Sequence, residues 1–203
     1  HLYAAKGGDI QSAARALLTD ACGRLRCPYE PGIEPRDAVT AVADAVCGDL
    51  YDAENRLFYL SLSGRAPDPD AEPPAPRFNT GWTGGAQVAY PLLAAGLALG
   101  RGDWLECGAA ALDRIAREAL SPHSGLFYEN YNAQTGEWNT RGWWSALLER
   151  PGHSAYINGQ ICYYLLAAYR LCRAKGTERG FWLTRAAGVL DRIITEQEAS
   201  GAY

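Results

Sequence analysis

Two carboxyl side chains in the segment 121–160 have the sequence surroundings expected of acid–base catalysts. Glu129 directly follows the apolar run Leu126-Phe127-Tyr128, and burial beside such a run raises a carboxyl pKa towards the range that suits a general acid. Glu137 lies in the next turn, and Asp52 or Glu54 in an earlier loop are alternatives for a second carboxyl. Hydrolysis of a glycosidic bond usually needs two carboxyl groups, so this pattern predicts that chemistry. For Glu137 the alternative is a solvated turn residue.

A third reactive group, His153, begins the most distinctive local string of the chain, residues 153–160. Histidine is the side chain best suited to exchange protons at physiological pH, so His153 is predicted to act as a general acid or base. The string opens an apolar helix, whose free N–H groups and positive dipole end favour an anion such as a uronate carboxylate. The alternative is structural, with Ser154 capping the helix and His153 bonding a loop carbonyl.

Aromatic and polar side chains near these groups are typical of a saccharide-binding surface. Exposed rings reduce solubility unless they bind a ligand, whereas sugar rings stack on Trp faces and amides bind sugar hydroxyls. The alternative is that the Trp side chains fill the core at the mouth of the fold. The predicted substrate-binding residues are Trp82, Tyr128, Trp138, Arg141, Trp143, Trp144, Tyr156, Asn158 and Gln160.

An internal repeat indicates which elements position these residues. The segment 87–95 aligns with 160–168 at an offset of 73, and Trp104 aligns with Trp182 at an offset of 78. The further matches are Leu112-Asp-Arg-Ile115 with Leu190-Asp-Arg-Ile193, and an upstream copy in which Asp44 and 57–59 match Asp113 and 126–128 at an offset of 69.

Each repeat is predicted to contain two helices of different character. The first is apolar all round, which predicts a helix buried on both sides, and Pro91 predicts that this helix starts late or kinks. The second is amphipathic, and Asp103 with Glu106 forms a capping-box pattern at its start. Helices are predicted near 9–24, 38–49, 86–100, 103–119, 157–174 and 180–197, with strand-like content only in the Leu-Phe-Tyr segments and a surface connector over 64–77.

A buried inner helix followed by an amphipathic outer helix predicts an all-α fold, the α/α toroid. Residues 1–203 are predicted to form one toroid domain or a fragment of one. Three hairpins make half of a six-hairpin ring, so the predicted barrel is incomplete, and the chain is expected to be part of a longer one or to pair with another copy. The predicted repeat units lie near 37–82, 83–128 and 157–203.

The repeat, the stretch Ser124–Glu129 and the pair Asn158-Gly159 resemble the six-hairpin glycosidase superfamily, which includes unsaturated glucuronyl and rhamnogalacturonyl hydrolases. The resemblance implies a cleft at the N-terminal ends of the inner helices, built from loops 79–87 and 123–160. The uronyl hydrolases carry acidic residues where this chain has Thr-Gly-Gly-Ala-Gln at 83–87. Their hydration mechanism is therefore not implied.

Composition excludes several other classes. The net charge is −4, the pI is near 5.4 and the basic residues are scattered, which argues against a nucleic-acid partner. No segment approaches the roughly 18 apolar residues of a membrane span, and no phosphate loop, metal-ligand cluster or cofactor motif is visible. The cysteines are predicted to be buried free thiols, with a Cys22–Cys27 pairing as the alternative, and a cytoplasmic location is favoured over a secreted one.

The leading prediction is a glycoside hydrolase that acts on an oligosaccharide. Uronate-containing oligosaccharides are among its predicted substrates, and no metal or cofactor is expected. One alternative is a sugar epimerase or isomerase, or a polysaccharide lyase, that uses His and Tyr for proton abstraction on the same fold. Another is a non-catalytic toroid that binds a glycan or a protein, because helical toroids host many functions.

Overall fold

The computed structural model describes residues 32, 34–59, 77–81, 84–140 and 153–197. The chain divides into two compact units, His1–Ala38 and Val39–Tyr203. In the first unit, the backbone N–H groups of Asp37 and Ala38 donate to the Glu34 carbonyl at 2.9 and 3.0 Å, which opens the first helix. The predicted helix at 9–24, the connector at 64–76 and the cysteines Cys22 and Cys27 lie outside the described residues.

The described residues are mostly helical, as predicted, and small sheets accompany the helices. The helix starts and ends agree with the predicted ones to within a few residues, because the apolar periodicity of each segment is strong. The helices are α1 (Pro35–Ala45), continued by a π-helical turn (Val46–Leu50), α2 (Gly85–Leu99), α3 (Gly102–Glu118), α4 (Ala155–Ala174) and α5 (Gly180–Glu196).

The later helices form two antiparallel pairs, which we call hairpin A (α2 and α3) and hairpin B (α4 and α5). The first helices of the two hairpins pack on each other, and the Tyr90 and Tyr164 rings meet with their centroids 5.8 Å apart. The second helices are also in contact, and the Arg117 guanidinium lies 4.0 Å from the centroid of the Phe181 ring. Hairpin B therefore packs beside hairpin A, with α4 against α2 and α5 against α3.

The repeated residues make repeated contacts. At the start of hairpin A's second helix, Trp104 Nε1 donates to Asp44 Oδ1 at 3.0 Å. At the start of hairpin B's second helix, Trp182 Nε1 donates to Asp113 Oδ1 at 2.9 Å. Both Trp side chains are fully buried. The sequence repeat thus corresponds to a repeated hydrogen bond, which joins α3 to α1 and α5 to α3.

The strands fall into two small antiparallel sheets. One pairs β1 (Tyr51–Asp52) with β2 (Leu57–Phe58), and the other has the order β3-β4-β5, formed by Arg77–Asn79, Asn130–Asn132 and Glu137–Asn139. The prediction that strand content is confined to the Leu-Phe-Tyr segments is wrong. In the second such segment only Phe127 forms a bridge, to Leu120.

The β4–β5 hairpin was not predicted from the sequence, and local contacts in the turn 133–136 explain why it forms. Asn132 Oδ1 accepts the backbone N–H groups of Gln134 and Thr135 at 2.9 and 3.3 Å, an Asx turn that directs the chain back. Gly136 then adopts a left-handed conformation with φ of 72°, which glycine enters without steric strain. Short polar strands of three residues carry too little apolar alternation to be recognised as strands.

Aromatic rings hold this sheet against hairpin A. The rings of Tyr131 and Trp138 meet at 4.8 Å, and the Phe78 and Tyr131 rings at 6.3 Å. The guanidinium of Arg114, buried in α3, lies 4.3 Å from the centroid of the Tyr131 ring and 5.6 Å from that of Trp138. Glu118 Oε2 accepts from Arg114 Nε at 3.1 Å, which balances the charge of this buried cation.

Three further expectations about the helices need correction. The capping box at Asp103 is wrong, because α3 begins at Gly102 and the Asp103 carboxylate pairs instead with Arg101 at 2.6 Å. Of the two alternatives for Pro91, the late start is wrong, because α2 begins at Gly85 and Pro91 lies within it, whereas the kink stays a prediction. The inner helices are not buried all round, since Tyr163 of α4 is 64% exposed.

Candidate functional site

The loop that joins hairpins A and B forms the centre of the candidate site. It leaves α3 at Ala119, whose carbonyl accepts the Tyr128 N–H at 2.8 Å, and it is closed by a bond from the Ser121 N–H to the Leu126 carbonyl at 2.9 Å. These bonds fold 119–128 into a compact loop. The next residue of the chain is Glu129.

Asn158 of α4 fixes this loop from the side of hairpin B. The side chain is fully buried, and its Oδ1 accepts the Phe127 N–H at 2.7 Å. Its Nδ2 donates to the Phe127 and Ser154 carbonyls at 3.3 and 3.0 Å. Asn158 was predicted to bind substrate, and its amide is instead engaged with main-chain atoms that position the loop.

His153 is held at both ring nitrogens. Nδ1 lies 2.9 Å from the Phe127 carbonyl, and Nε2 lies 2.8 Å from Ser124 Oγ. Because a carbonyl only accepts, Nδ1 carries the proton, and in the neutral ring Nε2 accepts from the Ser124 hydroxyl. The Tyr128 ring lies 5.4 Å away, centroid to centroid. The contact of His153 with a loop carbonyl agrees with the structural alternative given above. The contact with Ser124 was not predicted.

Glu129 is buried, with 5% of its surface exposed. Its Oε1 accepts the backbone N–H of Ser154 at 3.1 Å, and its carbonyl accepts the Thr80 N–H at 2.9 Å. Burial raises the pKa of the Glu129 carboxyl above its ordinary value, and the hydrogen bond from Ser154 only partly opposes this rise. The predicted position of a general acid therefore has the desolvation that such a group requires.

The predicted cap of α4 is confirmed. Ser154 is the N-cap residue, and its Oγ accepts the Ile157 N–H at 3.3 Å. The main-chain N–H of Ser154 is the donor to Glu129. The start of α4 is thus bonded to protein groups, and the Glu129 carboxyl occupies the place in which an anionic ligand was expected.

A row of three asparagines crosses the sheet next to Glu129. The strand register places Asn79 opposite Asn130 and Asn130 opposite Asn139, and directly paired residues project on the same face of a sheet. Asn130 Nδ2 is buried and has no hydrogen-bond partner among the described residues. Gln160 Oε1 is likewise buried and unpartnered, while its Nε2 donates to the Tyr156 hydroxyl at 2.9 Å. Unpaired buried polar atoms are uncommon and mark groups available to a ligand or to water.

Glu137 is not brought close to Glu129. It is exposed and stands opposite Asn132 at the turn end of the β4–β5 hairpin. Glu129 precedes the other end of β4, so three residues, about 10 Å of strand, separate their main chains. Trp138 is partly buried against Tyr131 and Arg114, where it packs the sheet.

The alternative carboxyl Asp52 belongs to a different structure, the turn of the β1–β2 hairpin. Its Oδ1 accepts the Asn55 N–H at 2.7 Å, and its Oδ2 accepts the Tyr59 hydroxyl. Burial alone would raise the pKa of Asp52, but the hydrogen bonds from Tyr59 and Asn55 outweigh it and lower the pKa. Glu54 lies in the same turn and is exposed.

Several predicted residues cannot be located relative to this cluster. Trp82, Arg141, Trp143 and Trp144 lie outside the described residues. Of the others, Tyr128, Glu129, His153 and Asn158 come together in and around the loop 119–129. Tyr156 and Gln160 lie on the first turns of α4.

Other kinds of site are few in the part of the chain that the structure describes. Within the described ranges, no group of three or more His, Cys, Asp or Glu side chains is arranged to hold a metal ion. None of the described helices has both the length and the apolar character needed to cross a membrane. An open groove of about 350 Å³ between the 120–125 loop and α5 is lined by none of the predicted site residues.

Ser124 and the asparagine row were not predicted as site residues. The contact of Ser124 with His153 joins residues 29 positions apart, which local sequence does not reveal. Asn130 and Asn132 follow Glu129 as Glu-Asn-Tyr-Asn, and this polar alternation was the signal that could have indicated a strand. Comparison of the chain with family models, curated proteins and solved structures gave no match.

Proposed function

We propose that the protein is a glycoside hydrolase that acts on an oligosaccharide, with Glu129 as its proton donor. The observation that carries this proposal is the burial of the Glu129 carboxyl, which raises its pKa. A carboxyl with a raised pKa keeps its proton to a higher pH than an ordinary carboxyl, and it can donate that proton to the leaving oxygen of a glycosidic bond. Ser154 holds Oε1, so Oε2 is the atom that would carry the proton.

The neighbouring polar groups suit a neutral sugar. Asn130 Nδ2 and Gln160 Oε1 are a buried donor and a buried acceptor without partners in the described part of the chain, and a sugar hydroxyl both donates and accepts. The N–H of Ser154 at the start of α4 is already bonded to Glu129. A uronate carboxylate at this helix end would meet the Glu129 side chain, so the proposal does not require a uronate-containing substrate.

Glu137 is a weak candidate for the second carboxyl. Its exposed place at the far turn of the sheet is about 10 Å of strand away from Glu129. A water molecule activated there would not lie beside the bond that Glu129 protonates. We therefore propose that another carboxyl or a substrate group assists Glu129, and Glu137 becomes the control residue for the experiment.

We also propose that hairpins A and B belong to an α/α toroid of the six-hairpin glycosidase kind. Two features support this architecture. The Trp-to-Asp contact recurs from one outer helix to the next. The inner helices α2 and α4 lie side by side, and the candidate site lies at the N-terminal end of α4, where the resemblance implies a cleft.

The test compares Glu129→Gln with Glu137→Gln on a panel of oligosaccharides, with products measured by mass spectrometry. Removal of a general acid typically lowers the rate by about 100-fold to 10,000-fold, so we expect at least a 100-fold loss of kcat/KM for the first variant. The second variant should stay within about threefold of the wild type. Thermal melting of both variants controls for unfolding. Unchanged activity of Glu129→Gln contradicts the proposal, and glycan binding without turnover in the wild type supports a binding module instead.

One observation favours a second candidate, a sugar epimerase or isomerase or a polysaccharide lyase. The His153 Nε2 accepts from Ser124 Oγ in the neutral ring, and the Tyr128 ring lies alongside. A neutral imidazole held in this way is suited to abstract a proton. The product distinguishes the candidates, because a lyase leaves an ultraviolet-absorbing double bond and an epimerase leaves the mass unchanged. His153→Ala would abolish either of these reactions.

A further inference from the structure

We propose that Cys47 and Cys107 form a redox-modification site, in which an intramolecular disulfide is produced by exchange with a low-molecular-weight disulfide such as oxidised glutathione. The two Sγ atoms are 2.8 Å apart, so the thiols are in direct contact and a disulfide, with sulfurs about 2.05 Å apart, needs only a small further approach. The inference is independent of the proposed glycan chemistry, because neither cysteine belongs to the candidate site.

The two sulfurs come from separate elements that the fold brings together. Cys47 lies in the π-helical turn Val46–Leu50, and Cys107 lies on α3. A π-helical turn is wider than an α-helical one, and such turns recur at functional positions. Cys47 Sγ also approaches the Asp103 carbonyl at 3.9 Å, one turn before Cys107. Sixty residues of sequence thus separate two thiols that are in direct contact.

The other described cysteines provide an internal contrast. Cys162 and Cys172 are buried, whereas Cys47 and Cys107 are only partly buried and can meet a small reagent. Cys162 and Cys172 are also ten residues apart on α4, which is about 15 Å along a helix and too far for a disulfide. Cys162 Sγ instead contacts the Ala186 carbonyl at 3.6 Å.

The exchange takes two steps, and either thiol can take the first. Where Cys47 attacks oxidised glutathione, it loses its proton, forms a mixed disulfide and releases one glutathione thiolate. Cys107 then attacks the Cys47 sulfur, and its proton passes to the second departing glutathione. The thiolate released first takes up the proton that Cys47 lost, so two glutathione thiols form as the protein loses two hydrogens.

The crosslink would fasten the segment before hairpin A to hairpin A itself. The same elements are already joined by Trp104 and Arg101, both of which donate to Asp44. A disulfide across about 60 residues reduces the entropy of the unfolded chain. In a protein of this size we expect the melting temperature to rise by roughly 5–10 °C on oxidation.

The experiment treats the full chain with oxidised glutathione or with dithiothreitol, then maps the cysteines by alkylation, proteolysis and mass spectrometry. The expected product is a Cys47–Cys107 linked peptide pair that reductant reverses, with Cys162 and Cys172 still alkylated after denaturation. Each single variant, Cys107→Ser or Cys47→Ser, should stop at one glutathione on the remaining cysteine and form no crosslink between these positions.

Two results would overturn the proposal. One is glutathione on both cysteines without a crosslink, and the other is a crosslink that joins other cysteines, such as Cys22 with Cys27, in place of the Cys47–Cys107 pair. If a serine variant fails to fold, the mapped crosslink and the reductant-dependent melting shift of the wild type decide the question.

Discussion

Hairpins A and B are built from the same repeat and are docked in the same way. In each, a buried Trp at the start of the second helix donates to an Asp on an earlier helix. Trp104 donates to Asp44 of α1 at 3.0 Å, and Trp182 donates to Asp113 of α3 at 2.9 Å. In each, an Arg three residues before the Trp lies over its ring, with distances to the centroid of 4.1 and 5.1 Å. The shared contact indicates that an Arg-x-x-Trp start and an Asp acceptor are what join successive units.

The two hairpins differ in what covers them. Hairpin A packs against hairpin B, whereas the equivalent face of hairpin B is open. Ala116 is fully buried, but its counterpart Ile194 is 67% exposed. Asp113 accepts from Trp182, but its counterpart Asp191 is exposed. The difference shows that the buried character of a repeat position is set by the neighbouring unit and not by the helix itself. In the proposed toroid, this open face of hairpin B is the one that a following hairpin would cover.

A second difference is how closely the helices approach within each hairpin. A Cβ added at Gly108 would lie 2.6 Å from the Ala89 carbonyl oxygen and 2.8 Å from the Leu93 N, so α2 and α3 touch backbone to backbone. The counterpart of Gly108 in hairpin B, at the offset of 78, is Ala186, which is buried with its Cβ in place. Hairpin A is therefore the more closely packed of the two.

The largest effect that would test this comparison is expected from Gly108→Ala. The new methyl group meets main-chain atoms that cannot move without separating the helices. We expect a loss of about 3 kcal/mol in the free energy of unfolding, the upper part of the range for overpacking. Urea denaturation monitored by circular dichroism measures it.

The matched control is Gly188→Ala in α5, where an added Cβ meets nothing within 4 Å. Replacing glycine by alanine within an unobstructed helix should stabilise the protein by about 0.5–1 kcal/mol. Equal effects of the two substitutions would show that hairpin A is not packed more tightly than hairpin B.

The next effect in size concerns the two aspartates. Asp113→Ala leaves the buried Trp182 N–H without its acceptor and removes the partner of Arg179. We expect the free energy of unfolding to fall by about 2 kcal/mol. Asp191→Ala, at the equivalent position on the open face, should change it by less than about 0.5 kcal/mol. Similar losses for both variants would mean that the aspartate stabilises its own helix rather than the joint between hairpins.

The smallest of the three effects is the pH dependence of the free energy of unfolding that Glu129 contributes. Glu129 lies in the segment that joins the two hairpins. Burial raises the pKa of Glu129 from its ordinary value of 4.5, so the folded chain binds more protons than the unfolded chain above this pH. Stability must then fall as pH rises through the window between 4.5 and the raised pKa. Compared with Glu129→Gln, the wild type should lose stability as the pH increases from 4.5 to 7. A constant difference between the two proteins over this range would exclude the raised pKa.

The helices were predictable because their apolar periodicity is local, and the repeat was predictable because its residues recur in order. Other features depended on contacts that sequence spacing does not reveal. Asp103 and Glu106 have the spacing of a capping box, but the nearby Arg101 binds the Asp103 carboxylate instead. The burial of Glu129 was predictable, because an apolar run precedes it. The partners of Asn158 were not, because its contact with Phe127 joins residues 31 positions apart.

The proposed role of Glu129, proton donation to the leaving group of a saccharide, can be tested with two substrates of the same sugar. One is an ordinary oligosaccharide, and the other is an aryl glycoside whose dinitrophenolate leaves without protonation. For Glu129→Gln relative to the wild type, we expect at least a 100-fold loss of kcat/KM on the oligosaccharide and less than about a tenfold loss on the aryl glycoside. An equal loss on both substrates, or no loss on either, would contradict this role.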